Sequence, residues 1–129
     1  MTRVFVYGTL MSGGRLNTYG MEGATFVRPA TMRGTLWSVG QGFPAFTDND
    51  PFDGVVHGEL WDVDFDTLQR LDGIEGFRRH QPEHSMYLRV IRRTLFGEPV
   101  WVYLWNGDTD RLQLIESGCW RTHEEERAA

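Results

Sequence analysis

The sequence predicts an α+β fold, a small mixed β-sheet that closes or nearly closes into a barrel and carries few short helices. Three observations predict it. About six short runs, apolar or alternating and bounded by glycine, proline or aspartate, read as strands, whereas one stretch alone has a good helical period. The 15 glycines and 13% aromatic residues supply the tight turns and bulky core side chains of a β-rich domain. A chain of 129 residues, 40% hydrophobic, suffices for one core and not for two. Residues 1–122 are therefore read as a single domain. Residues 123–129, with Glu124, Glu125 and Glu126 in a row, are read as a disordered acidic tail.

The first strand carries Val4-Phe5-Val6, three consecutive apolar residues that suit burial on both faces. It stops at Gly8, where the missing Cβ lets the backbone bend and lets another group approach the main chain. The turn through Tyr7, Gly8, Thr9 and Leu10 can present several N–H groups to one anion. Read alone, it can equally be an ordinary glycine turn. Arg15 to Thr18 allow only a short helical turn before Gly20 and Gly23. Phe26 to Val39 is strand-rich, and Pro29 marks an edge or a break between two shorter strands. Gly40-Gln41-Gly42 turns into Phe43-Pro44, and Asp48-Asn49-Asp50-Pro51 forms a polar loop.

Val55 to Val63 reads as the next strand. Asp64 or Asp66 caps the best helix, in which Phe65, Leu68 and Leu71 share an apolar face. Gly73 and Gly76 end it and leave Ile74-Glu75 in a glycine-bounded corner. Tyr87 to Leu95 and Val100 to Trp105 are antiparallel strands joined by Phe96-Gly97-Glu98-Pro99.

The charge balance, 13 basic against 18 acidic residues, gives no electrostatic footprint for nucleic acid and favours a small polar partner. No apolar run is as long as a membrane span, and the start Met-Thr-Arg-Val enters a strand with no signal-peptide pattern. One cysteine, Cys119, excludes an intramolecular disulfide framework and fits a reducing compartment, so the expectation is cytoplasmic. Metal binding has little support: Pro82 breaks the helix that His80 and His84 would need. Gly8 and Gly13 have Walker A spacing, but Gly14 and Arg15 stand where its Lys and Ser/Thr belong. There is no Gly-x-Ser-x-Gly elbow.

Glu75 is the informative carboxylate. Held against Ile74 and Phe77, its charged form is disfavoured and its pKa rises toward neutrality, as a proton carrier requires. An exposed surface glutamate is the other reading of the same residue, and Asp72 is explained as an ordinary helix-end residue.

The motifs Val4-Phe5-Val6-Tyr7-Gly8-Thr9-Leu10, Gly42-Phe43-Pro44, Gly58-Glu59-Leu60-Trp61, Leu71-Asp72-x-x-Glu75-Gly76, Tyr87-x-Arg89 and Ser117-Gly118-x-Trp120 occur in that order. Together they resemble the γ-glutamylcyclotransferase-like family, which includes γ-glutamylamine cyclotransferases and AIG2-like proteins, over residues 3 to 121. The resemblance implies a small mixed β-barrel and release of 5-oxoproline from a γ-glutamyl amine or γ-glutamyl amino acid, with no cofactor. It implies Glu75 as the catalytic residue, with Tyr7, Gly8, Thr9, Leu10 and Tyr87 against the substrate. Tyr103 joins them from its place on a neighbouring strand. Gly76-Phe77-Arg78-Arg79-His80 is unusually basic, so the leaving group is not carried over from any one subfamily. A non-catalytic module that sequesters a small anionic metabolite is the rival of different class. The oligomeric state is left open.

Overall fold

In the computed structural model, residues 1–48 and 54–128 are described. Among them, eight strands and three α-helices follow in the order β1 (Thr2–Val6), α1 (Asn17–Gly20), β2 (Thr25–Arg33), β3 (Thr35–Ser38), β4 (Pro44–Thr47), β5 (Val55–Val63), α2 (Phe65–Ile74), β6 (Tyr87–Arg93), β7 (Pro99–Trp105), β8 (Gln113–Leu114) and α3 (Trp120–Ala128), with a short 3-10 turn at Pro82–His84 between α2 and β6. A five-stranded sheet runs β2-β5-β1-β7-β6, and a three-stranded one runs β4-β3-β8. The α+β class is as expected from sequence, with a mixed sheet: β1 pairs antiparallel with β5 and parallel with β7.

The central place of β1 follows from its composition. Val4, Phe5 and Val6 are buried, and a strand with no polar face must be covered on both sides. Barrel closure does not follow. The edges β2 and β6 form no ladder among the described residues; they meet where the Leu95 N–H, just past β6, donates to the Thr31 carbonyl at 3.0 Å. Two features keep those edges unpaired. A bulge between Phe26 and Arg28 twists β2, and Pro29 lacks the N–H that a second ladder would need.

Pro29 does not break the strand, because it lies within edge strand β2; the break between β2 and β3 falls at Gly34. Phe43-Pro44-Ala45-Phe46, read as following a turn, contributes strand β4 against β3. Of the expected polar loop, residues 49–51 lie outside the described residues, and Asp48 accepts from Arg92 Nε at 2.6 Å.

The expected disordered tail is helical as far as residue 128. Trp120 and His123 are buried three residues apart with their rings 5.3 Å apart, giving the helix an inward face that the neighbouring glutamates obscure in the sequence. Trp37 and Trp61 are buried, and Trp101 and Trp105 pack on the core cluster.

Candidate active site

Two structural ends meet at one cavity: the end of β1 and the end of α2. The β1 end is fixed first. Beyond Val6 the chain turns tightly, with the Met11 N–H on the Gly8 carbonyl (3.0 Å), Gly14 on Met11 (2.8 Å) and Leu16 on Thr9 (2.9 Å). Gly8 is required here, since a Cβ would lie 2.6 Å from Cγ of Pro44. Among the described residues the N–H groups of Gly8, Thr9 and Leu10 donate to no main-chain acceptor. Three successive free donors in a turn form a concave, anion-seeking surface.

Glu59 holds this turn from behind. Its Oε1 accepts from the Ser12 N–H (2.8 Å), the Ser12 hydroxyl (3.2 Å) and Trp61 Nε1 (3.1 Å), and its Oε2 accepts from Arg121 Nη2 (2.9 Å). Burial pushes the Glu59 pKa up, but the Ser12 N–H, Arg121 and Trp61 together outweigh burial and hold it below the usual carboxylate value. Arg121 also donates to the Ser12 carbonyl at 2.5 Å, so α3 is tied to the same turn.

The α2 end is built by a cap at each terminus. Asp64 accepts from the Thr67 N–H at 2.8 Å, so of the two expected caps Asp64 serves. Leu68 and Leu71 face inward, whereas Phe65, expected beside them, is exposed. The helix passes through Gly73 and stops at Gly76, whose φ of +66 admits the left-handed turn. The Phe77 N–H donates to Asp72 (2.9 Å) and the Gly76 N–H to Gly73 (3.3 Å), the bonding pattern of a Schellman motif. Glu75 is thereby the last residue of helical conformation, its backbone fixed by four neighbouring hydrogen bonds.

Asp72, read from sequence as an ordinary helix-end residue, anchors that end to the sheet. It receives Arg89 Nε at 2.8 Å and Nη2 at 3.2 Å, and the Tyr103 hydroxyl at 2.7 Å. The Arg89 guanidinium also lies 4.4 Å from the Trp101 ring centre. The spacing Leu71-Asp72-x-x-Glu75 with Tyr87-x-Arg89 contains the signal, but nothing local in it pairs an aspartate with an arginine 17 residues later.

Tyr7, Gly8, Thr9, Leu10, Glu75, Tyr87 and Tyr103 all line one cavity, with about 590 Å³ of empty space including its open mouth. Glu75 is half-buried there and its pKa is pushed up to about 7, by burial. The negative end of α2 acts in the same direction. Among the described residues its carboxyl has no hydrogen-bonding or ionic partner. The three tyrosine hydroxyls are otherwise committed as donors: Tyr7 to the Tyr103 carbonyl (2.6 Å), Tyr87 to the Pro44 carbonyl (2.5 Å) and Tyr103 to Asp72. Burial raises all three pKa values, so these groups stay neutral and can only accept from a ligand.

His80 and His84 are exposed on the segment after α2, and no metal-ligating cluster occurs among the described residues. No helix among them is long and apolar enough to cross a membrane.

A family model described as gamma-glutamyl cyclotransferase, AIG2-like, matches residues 4–122. The chain is 32% identical over 119 residues to the gamma-glutamylcyclotransferase family protein YtfP of Escherichia coli K12, covering 92% of this chain and 95% of that one. It is 28% identical over 111 residues to the gamma-L-glutamyl-butirosin B gamma-glutamyl cyclotransferase of Niallia circulans, covering 84% and 69%. Among solved structures, PH0828 of Pyrococcus horikoshii superposes with a TM-score of 0.78 at 25% identity, over 99% of this chain and 97% of that one.

Proposed function

This chain belongs to the gamma-glutamyl cyclotransferase, AIG2-like family, and on that premise we propose that it converts a γ-glutamyl amine or γ-glutamyl amino acid to 5-oxoproline and the free amine. The observation that carries the reading is an unpartnered carboxyl, its pKa pushed up by burial, lining the same cavity as three free N–H groups. The N–H groups of Gly8, Thr9 and Leu10 take the α-carboxylate of the γ-glutamyl group, which sets its α-amine beside Glu75.

The α-nitrogen attacks the γ-carbonyl carbon of the same molecule. Glu75 takes one proton from the α-ammonium, and the freed amine forms the C–N bond that closes the five-membered ring. The bond from the γ-carbon to the leaving nitrogen then breaks as Glu75 returns the proton to that nitrogen. Glu75 then takes the second proton from the new ring nitrogen and passes it to the released amine, which departs as an ammonium ion, so atoms and charge balance without an external reagent. Curling the chain supplies orientation, which in favourable intramolecular cases is equivalent to about 10^5 M or more.

Proton transfer is where the position of Glu75 matters. Between an α-ammonium near 8 and an ordinary glutamate, the mismatch is nearly four units, about 5 kcal/mol. With Glu75 at about 7, only about one unit, or ~1.4 kcal/mol, remains. Glu75 is thus able to accept the proton and to give it back.

The test is release of 5-oxoproline from a panel of γ-glutamyl amino acids and γ-glutamyl amines, by the wild type and by Glu75→Gln. Turnover lost in the variant while substrate still binds supports the reading. No turnover of any member, with tight binding of an anionic metabolite by both proteins, replaces it with the sequestering module.

A further inference from the structure

We propose that Arg15 selects the leaving group by receiving a carboxylate carried next to the departing nitrogen, so that γ-glutamyl amino acids are preferred over γ-glutamyl amines. The inference rests on the cyclotransferase reading and narrows its substrate class.

Among the described residues, Arg15 contributes the only permanent positive charge to the cavity lining. Its backbone belongs to the same turned segment as the free N–H groups, between Gly14, bonded back to Met11, and Leu16, bonded back to Thr9. Its side chain crosses to the opposite rim, where Nη2 donates to the Gly42 carbonyl at 3.2 Å. Gly42 has a φ of +85, and a Cβ built on it would stand 3.8 Å from both terminal nitrogens, so the guanidinium lies along the turn. That one hydrogen bond uses one of five N–H donors. Among the described residues no carboxylate pairs with Arg15, whereas Arg3, Arg28, Arg89, Arg92 and Arg121 each have at least one.

The cavity therefore offers two separate anion-binding elements, and a γ-glutamyl amino acid carries two carboxylates. The inner element, made of main-chain N–H groups, suits the α-carboxylate of the acyl part. The outer one, Arg15 at the exposed rim, suits a group that must leave. A γ-glutamyl amine has nothing to give it, and a diamine would bring a second ammonium against the guanidinium. Selection thus combines an attraction with a repulsion.

The experiment compares kcat/KM for 5-oxoproline release from γ-glutamyl-alanine, from γ-glutamyl-ethylamide, which differs only in lacking the carboxylate, and from γ-glutamyl-1,4-diaminobutane. For the wild type we expect alanine to be preferred over ethylamide by roughly tenfold, the scale of one charge-assisted hydrogen bond at a solvated rim. Arg15→Ala brings that ratio close to one, and Arg15→Glu shifts preference to the diaminobutane substrate. An unchanged ratio in both variants, or an equal loss on all three substrates, overturns the role of Arg15 and leaves the cyclotransferase reading intact. If the wild type releases 5-oxoproline from none of them, that reading itself fails.

Discussion

Glu59 and Glu75 stand on either side of the same turn-and-helix assembly, and their environments push them in opposite directions. Glu59 is the more deeply buried, with 5% of its surface exposed, yet its pKa is lowered, because four donor groups, from Ser12, Trp61 and Arg121, surround the carboxylate. Glu75 exposes more of its surface, yet burial pushes its pKa up to about 7, because no donor offsets that burial. Burial alone does not set the charge of a carboxylate; the supply of hydrogen bonds does. A satisfied glutamate holds a backbone in place, and an unsatisfied one remains available to a ligand's proton.

The largest expected effect separates the two by chemistry. Glu75→Gln keeps shape and removes the titrating group, so turnover falls by about 10^2- to 10^4-fold, the usual weight of general acid–base catalysis. Urea unfolding at pH 4, where Glu75 is protonated both folded and unfolded, stays close to wild type. A variant that loses activity together with stability would break the distinction.

Glu59→Gln does the reverse, acting first on the fold. Its amide NH2 must face either the Arg121 donor or the Ser12 and Trp61 donors, a mismatch costing about 2–3 kcal/mol in urea unfolding. Arg121 is itself about half exposed (48%), so Arg121→Ala costs less, about 1 kcal/mol. KM rises in Glu59→Gln as the N–H turn loosens, while the kcat/KM profile of the residual activity keeps its acid limb near pH 7.

The two residues also give stability opposite dependences on pH. The pKa of Glu75 is raised on folding from 4.5 to about 7. Its contribution is fully present below pH 4.5 and is lost as pH rises through 7, by at most about 3 kcal/mol and less in proportion to the solvent reaching its carboxyl. The pKa of Glu59 is depressed on folding, so its contribution is present above 4.5 and disappears as pH falls through the folded value. Thermal melts across pH 4 to 9 are therefore expected to decline on both sides. Glu75→Gln removes the alkaline decline and leaves the acid one; the same curve in both proteins would contradict the assignment.

The smallest effect tests what positions Glu75 without touching it. Tyr103→Phe deletes the hydroxyl bond to Asp72 while Arg89 keeps that aspartate paired, for a loss of about 1 kcal/mol. The kcat effect is modest, and the Glu75 pKa moves by less than one unit.

The half of this comparison that concerns Glu75 was legible in the sequence and the other half was not. Val4-Phe5-Val6 announces a strand covered on both faces, and Leu68, Leu71 and Gly76 announce a helix with a defined end, because these signals are local. Glu75 stands out because it sits between apolar neighbours at that end. Glu59 lies in a strand whose two faces both mix polar and apolar residues, and its partners are 47 and 62 residues away. Asp72 depends in the same way on Arg89 and Tyr103. Pairings across the fold leave no periodicity to read. Helix α3 was hidden for a different reason: three consecutive glutamates dominate its composition, while two buried rings decide its structure.

The most direct test is a carbon-13 NMR titration of the glutamate side-chain carboxyls, with Glu75→Gln and Glu59→Gln used to assign the two resonances. The predicted result is a Glu75 midpoint near 7 and a Glu59 midpoint below 4.5. A Glu75 carboxyl that titrates near 4.5, like an exposed side chain, would contradict the claim that this cavity holds a proton carrier.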